Sequence, residues 1–199
     1  MFQRATLILT VALLALATAS LAQNAKATAK GSAKKPATAH KAEISDAQYT
    51  AQALSAAPAA IAKEAGIMRM NADGSMRTLR ESKNGFTCMV VGTDRMCNDA
   101  NSMEFIHAML NHQPPPDKLG ISYMLAGDKG ASNTDPYATG KTADNHWIVT
   151  GPHIMVFGPA TKTFTFTRDK DPDPNKPYMM WAGTPYEHAM IPVGGATKK

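Results

Sequence analysis

Short runs of alternating apolar and polar residues dominate the chain from residue 67 onward, and that period of two predicts half-buried strands. Ile67-Met68-Arg69-Met70 and Met76-Arg77-Thr78-Leu79 flank Asn71-Ala72-Asp73-Gly74, a pattern that reads as a hairpin with Gly74 at positive φ. Residues 86–91 predict a third strand and 119–126 a compact apolar one. Further strand segments are expected at 146–149, 153–157, 178–181 and 187–193, and Thr163 to Thr167 alternates Phe with Thr. Helical spacing occurs twice. Ser45 or Asp46 caps a first helix whose face carries Tyr49, Ala53 and Leu54, with another turn at 59–63 beyond Pro58. Residues 99–112 predict a second, capped by Asn98 or Asp99, with Met103, Ile106, Met109 and Leu110 as its apolar stripe; Pro114-Pro115-Pro116 ends it. Long loops at 127–144 and 169–177 separate the late strands. The sum is an α+β domain: a mostly antiparallel sheet of short strands with two or three helices and long loops.

The N-terminal stretch has a different pattern. Arg4, an apolar run at 5–16 and Ser20-Leu21-Ala22 have the order of a secretory signal at 1–22. Residues 23–45 form an Ala/Lys/Thr segment with almost no large apolar side chain, which predicts a disordered basic linker. Residues 46–199 then make a single globular domain. With 44% hydrophobic and 19% charged residues the composition is that of an ordinary globular protein.

Charge changes the picture only after it is located. The formal charge is +5, but Lys26, Lys30, Lys34, Lys35 and Lys41 sit in the linker and the region from Asp46 onward is neutral. A nucleic-acid partner is therefore disfavoured. A weak, salt-sensitive electrostatic contact of residues 23–45 with anionic envelope components is the partner class that this charge suggests. Cys88 and Cys97, the two cysteines, flank a segment whose Gly92-Thr93-Asp94 centre turns the chain back. In an exported, oxidising setting they are expected to form one local disulfide.

Most chemical signatures fail. Gly120-Ile121-Ser122-Tyr123-Met124 lacks the closing glycine of a nucleophile elbow, and Glu104 with His107 has no second copy to build a di-iron site. Asp169, Asp171 and Asp173 are spaced like a calcium loop, but Pro174 and Met180 stand where its glycine and bidentate glutamate belong. One pattern survives. His153-Ile154-Met155 and His188-Ala189-Met190 are two His-x-Met segments in expected strands, and residues i and i+2 of a strand share a face. If the two strands meet, imidazole and thioether come together as a His2Met2 set suited to Cu(I), with His146 as an additional nitrogen. Against it stands ordinary core packing by methionine. Tyr178, Trp181 and Tyr186 are read as core aromatics, or as the lining of a pocket for a small organic ligand.

Gly120-Ile-Ser-Tyr-Met-Leu, Ala131-Ser-Asn-Thr-Asp-Pro, Thr150-Gly-Pro-His-Ile-Met and Met180-Trp-Ala-Gly-Thr-Pro-Tyr-Glu-His-Ala-Met-Ile-Pro-Val resemble an uncharacterised family of small exported bacterial proteins. The resemblance implies an exported, periplasmic or secreted single domain, and carries no catalytic residue, ligand or partner.

Three functions are expected from these residues. The first is a copper-binding protein using His153, Met155, His188 and Met190. The second is an envelope hydrolase with His153 or His188 as base and Glu187 or Asp135 nearby. The third is a non-catalytic structural or interaction module of the envelope.

Overall fold

A computed structural model describes residues 44–194; the expected signal at 1–22 and the linker up to residue 43 lie outside the described residues. The chain forms α1 (Asp46–Leu54), α2 (Ala59–Ala62), β1 (Gly66–Met70), β2 (Met76–Arg80), β3 (Phe86–Val91), β4 (Asp94–Asp99) and α3 (Ala100–Leu110). It continues through β5 (Gly120–Met124), β6 (Ala131–Ser132), β7 (Trp147–Ile148), β8 (His153–Phe157), a 3-10 turn at Pro159–Thr163, β9 (Tyr178–Met180) and β10 (His188–Pro192). Eight strands make one sheet in the order β2-β1-β3-β4-β5-β8-β10-β9, and β6 pairs with β7 apart from it. Only the β1–β3 pairing in the large sheet is parallel. The α+β architecture with a mostly antiparallel sheet is as the sequence predicts.

Local chemistry explains the early elements. Ser45 is the N-cap of α1: its side chain accepts from the Gln48 backbone N–H, while the Gln48 side chain reaches back to the Ser45 backbone, a capping box. Gly74 takes φ 85° in the β1–β2 turn and Gly92 takes φ 62° between β3 and β4. Both lie in the left-handed region that side chains with a Cβ avoid.

The register separates two cores. Cys88 lies opposite Cys97, and Cys97 opposite Tyr123. This face packs under α1, where Tyr49, Ala53 and Ile67 surround the Cys88–Cys97 disulfide. The alternate positions Ser122, Met124, Met155 and Phe157 point the other way, into a cluster with Phe105 of α3, Tyr178, Tyr186 and Met190. A helix therefore covers each face.

Three expectations need correction. α3 does not bury the stripe read from its sequence: Ser102, Phe105 and Ala108 are buried, Met103, Ile106 and Met109 are half-buried, and Leu110 is 65% exposed. The cause is a close approach between small residues. A Cβ on Gly120 would stand 2.5 Å from the Ser102 backbone nitrogen, so α3 rests on β5 through Ser102 and turns Leu110 outward. Residues 163–167 form no strand of the sheet, because Pro159 starts a 3-10 turn whose Thr161 hydroxyl donates to Gly158 O, and the Phe164 and Phe166 rings pack on each other. Finally, β4 follows Gly92 as an unanticipated strand, and the loop at 127–144 contains the short β6.

Candidate functional site

The two His-x-Met segments are β8 and β10, and they are adjacent antiparallel neighbours. Met155 lies directly opposite Met190. His153 lies opposite Pro192, and the pairing of Ala189 with Val156 sets His188 one step beyond, level with Phe157. All four His and Met side chains thus share one face, but the imidazoles stand at its opposite ends. Four register steps at about 3.3 Å separate their Cα atoms by about 13 Å along the strands.

The flanking strands add two methionines that sequence reasoning did not select. On β5, Met124 is directly opposite His153. On β9, Met180 is directly opposite His188. Met124, Met155, Met180 and Met190 are all buried, and His153 and His188 are 0% and 1% exposed. Because Ile154, Val156 and Ile191 on the alternate face are only half-buried, the His-x-Met face is the inward one.

Each imidazole is held in one tautomer. His153 Nδ1 is 2.7 Å from Gly151 O and His188 Nδ1 is 3.0 Å from Tyr186 O. A carbonyl only accepts, so each Nδ1 carries the proton and each Nε2 presents its lone pair. Neither Nε2 has a hydrogen-bond partner. Of the six buried, unpartnered side-chain nitrogen and oxygen atoms among the described residues, five lie on this sheet face: both Nε2 atoms, Nδ2 and Oδ1 of Asn98, and Ser122 Oγ. Asn98 is opposite Ser122, and Ser122 is opposite Met155. Buried polar groups are nearly always paired, so this concentration of unpaired atoms makes the face the candidate site among the described residues.

Electrostatics keeps both rings neutral. Burial pushes His188 down to about 4, against a partial offset from its bond to Tyr186 O, and His153 is near enough for its charge to be felt there. Burial also lowers His153, opposed by its bond to Gly151 O and by the charges of Asp128 and Asp94. Asp128, which accepts from the backbone N–H groups of Thr150 and Gly130, is itself raised, chiefly by burial.

The His188 ring is enclosed by Trp181 at 4.8 Å, Phe157 at 5.0 Å and Phe105 at 6.2 Å between centroids. Trp181 adopts φ 55°, left-handed for a residue with a Cβ. Its N–H donates to Asn133 O and its indole N–H to Ser132 O, while its carbonyl accepts from Thr184. This strained conformation, which costs on the order of 1 kcal/mol or more, is thus held from three sides.

The other sequence candidates lie elsewhere. His146 sits outside the eight-stranded sheet, its Nδ1 2.9 Å from the Asp171 carboxylate. Glu187 pairs with Arg168, Asp135 accepts from the Tyr137 N–H, and neither His153 nor His188 hydrogen-bonds a carboxylate. The base–carboxylate pair of a hydrolase is therefore not assembled at either histidine. Tyr178 bonds to Thr150, Trp181 to Ser132 and Tyr186 to Gln113, which ties the polar end of each aromatic into the fold. Among the described residues no three His, Cys, Asp or Glu side chains gather into a metal-binding group, so thioether sulfur is what sets the His-x-Met face apart.

The disulfide between Cys88 and Cys97 belongs to the opposite face; such bonds persist in oxidising, exported compartments. No described helix is long and apolar enough to cross a membrane. The chain matches no family model, no curated protein and no solved structure.

Proposed function

We propose that this protein is a Cu(I)-binding protein of an oxidising exported compartment, most simply a periplasm, and that Cu(I) is held on the buried face carrying His153, Met155, His188 and Met190. The observation that carries the reading is the pair of orphaned Nε2 lone pairs beside buried methionine sulfurs. Imidazole with Nδ1 anchored on a backbone carbonyl is the form that ligates through Nε2. Imidazole and thioether are soft neutral donors matched to Cu(I).

Charge selects the oxidation state. Neutral donors leave the full charge of the ion in a low-dielectric interior, and the cost of burying it grows with the square of that charge. A monovalent ion is tolerated there far better than Zn(II) or Cu(II), and the Asp128 carboxylate near His153 offsets part of it. Because both histidines are fully buried, uptake and release require local opening of the cover formed by α3 and the loops. The protein accordingly holds copper rather than exchanging it rapidly.

The test is an anaerobic titration of the purified protein with Cu(I) against a chromophoric chelator, with Cu K-edge spectroscopy for the donor atoms. The protein is expected to withdraw copper from the chelator and show nitrogen and sulfur neighbours. Met155→Leu/Met190→Leu conserves core volume and is expected to weaken binding at least 10-fold while the domain stays folded by circular dichroism. Failure of the unaltered protein to compete for copper overturns the proposal.

A further inference from the structure

The arrangement of the strands divides the donor face into two equivalent halves. His153 has Met155 two residues ahead on its own strand and Met124 directly across on β5. His188 has Met190 two residues ahead on its own strand and Met180 directly across on β9. In both halves the third donor comes from the outer neighbour, β5 or β9, and not from the other His-x-Met strand. Side chains directly opposite in an antiparallel pair have Cβ atoms about 4.5–5.5 Å apart, within reach of a common ion. Same-face neighbours along a strand are about 6.6 Å apart.

A single ion bound by both imidazoles is disfavoured by the same register. Metal–nitrogen bonds of about 2 Å would bring the two Nε2 atoms within about 4 Å of each other, whereas the strands set the two Cα atoms about 13 Å apart. The anchoring bonds also pull the rings away from one another. His153 leans toward Gly151 and His188 toward Tyr186, and in antiparallel strands those carbonyls lie beyond opposite ends of the face. With Nδ1 of each ring tied to a carbonyl beyond its own end of the face, these bonds oppose drawing both rings toward one ion.

We infer that the face holds two Cu(I) ions in separate three-donor sites, one formed by His153, Met155 and Met124 and the other by His188, Met190 and Met180. Each site has one imidazole nitrogen and two thioether sulfurs. Met155 and Met190, opposite each other at the centre, are the boundary between the sites. This inference rests on the copper reading of the face, and adds to it the stoichiometry and two ligands.

Cu(I) titration of the unaltered protein, Met124→Leu and Met180→Leu against a chromophoric chelator tests it, with Cu K-edge spectroscopy on each. Two equivalents are expected for the unaltered protein, with about two sulfurs and one nitrogen per copper. Each single variant is expected to keep one tight equivalent and to weaken the other at least 10-fold, with circular dichroism unchanged. One tight equivalent in all three proteins, lost in Met155→Leu/Met190→Leu, would overturn the two-site division and leave copper binding standing. No competition for copper by the unaltered protein would overturn both. Two equivalents that neither Met124→Leu nor Met180→Leu disturbs would refute the ligand assignment.

Discussion

The stability of the metal-free domain should fall on acidification with a component traceable to His188. In the fold this ring is neutral down to about 4, because burial disfavours its cation; in the unfolded chain it takes a proton near its ordinary 6.5. Between those values the unfolded state binds the extra proton, so stability rises with pH through the window and is lost as pH drops. A gap of about 2.5 pH units at about 1.4 kcal/mol per unit amounts to about 3 kcal/mol. His153, lowered for the same reason, acts in the same direction, whereas the raised Asp128 acts in the opposite one. Comparison with His188→Leu isolates the His188 share, because the other groups are common to both proteins. Loss of the bond to Tyr186 O adds an offset that does not depend on pH. Urea unfolding at pH 7, 6, 5 and 4.5 is the assay. The stability of the unaltered protein relative to His188→Leu, whichever is the more stable at pH 7, should fall by about 1 kcal/mol from pH 6 to pH 5. Parallel stability curves over the whole range would refute the claim that the ring is buried uncharged.

Two further perturbations probe the frame around the site. Gly120→Ala should destabilise the domain by about 1–3 kcal/mol in urea unfolding, because the added Cβ meets the Ser102 backbone at 2.5 Å and α3 must lift from β5; an unchanged midpoint would show that α3 does not rest there. Reducing the Cys88–Cys97 bond, which spans a sequence separation of 9, should cost about 2–3 kcal/mol by the chain-entropy argument. Urea unfolding with and without dithiothreitol reads that difference.

What could be read from the chain was whatever a short window encodes. Gly74 and its flanking alternation predict the β1–β2 hairpin, and Ser45 with Gln48 marks the start of α1. The even spacing of His153 and Met155, and of His188 and Met190, places each pair on one face with no knowledge of the fold. β4 was not legible because Asp94-Arg95-Met96-Cys97-Asn98-Asp99 lacks an alternating apolar pattern; its pairing with β3 makes it a strand. The α3 stripe misled for a tertiary reason, the contact of Ser102 with Gly120 across 18 residues. Met124 and Met180 escaped notice because their place beside the histidines depends on β5 and β9 flanking β8 and β10. No local period encodes such an order of strands.

Core packing explains why methionines gather on this face, but it leaves the nitrogen lone pairs unexplained. An unsatisfied buried acceptor costs about 1–3 kcal/mol, so His153 and His188 weaken the core unless their Nε2 atoms are engaged. Water and a soft cation are the two candidates, and the surroundings distinguish them. A buried water needs two to four polar partners. Near Met155, Ser122 and Asn98 supply such atoms, so water can be accommodated in that row. Around His188 the enclosing rings are Phe105, Phe157 and Trp181, whose indole N–H is already committed to Ser132 O. Its register neighbours are Met180 and Phe157, and Met190 follows on its own strand. Thioether sulfur is a weak hydrogen-bond acceptor but a good ligand for Cu(I). A water at His188 would therefore exchange one unsatisfied nitrogen for an unsatisfied water, while a monovalent soft ion would engage the nitrogen and both sulfurs together. His188 is thus the half of the face where water and copper are most sharply distinguished.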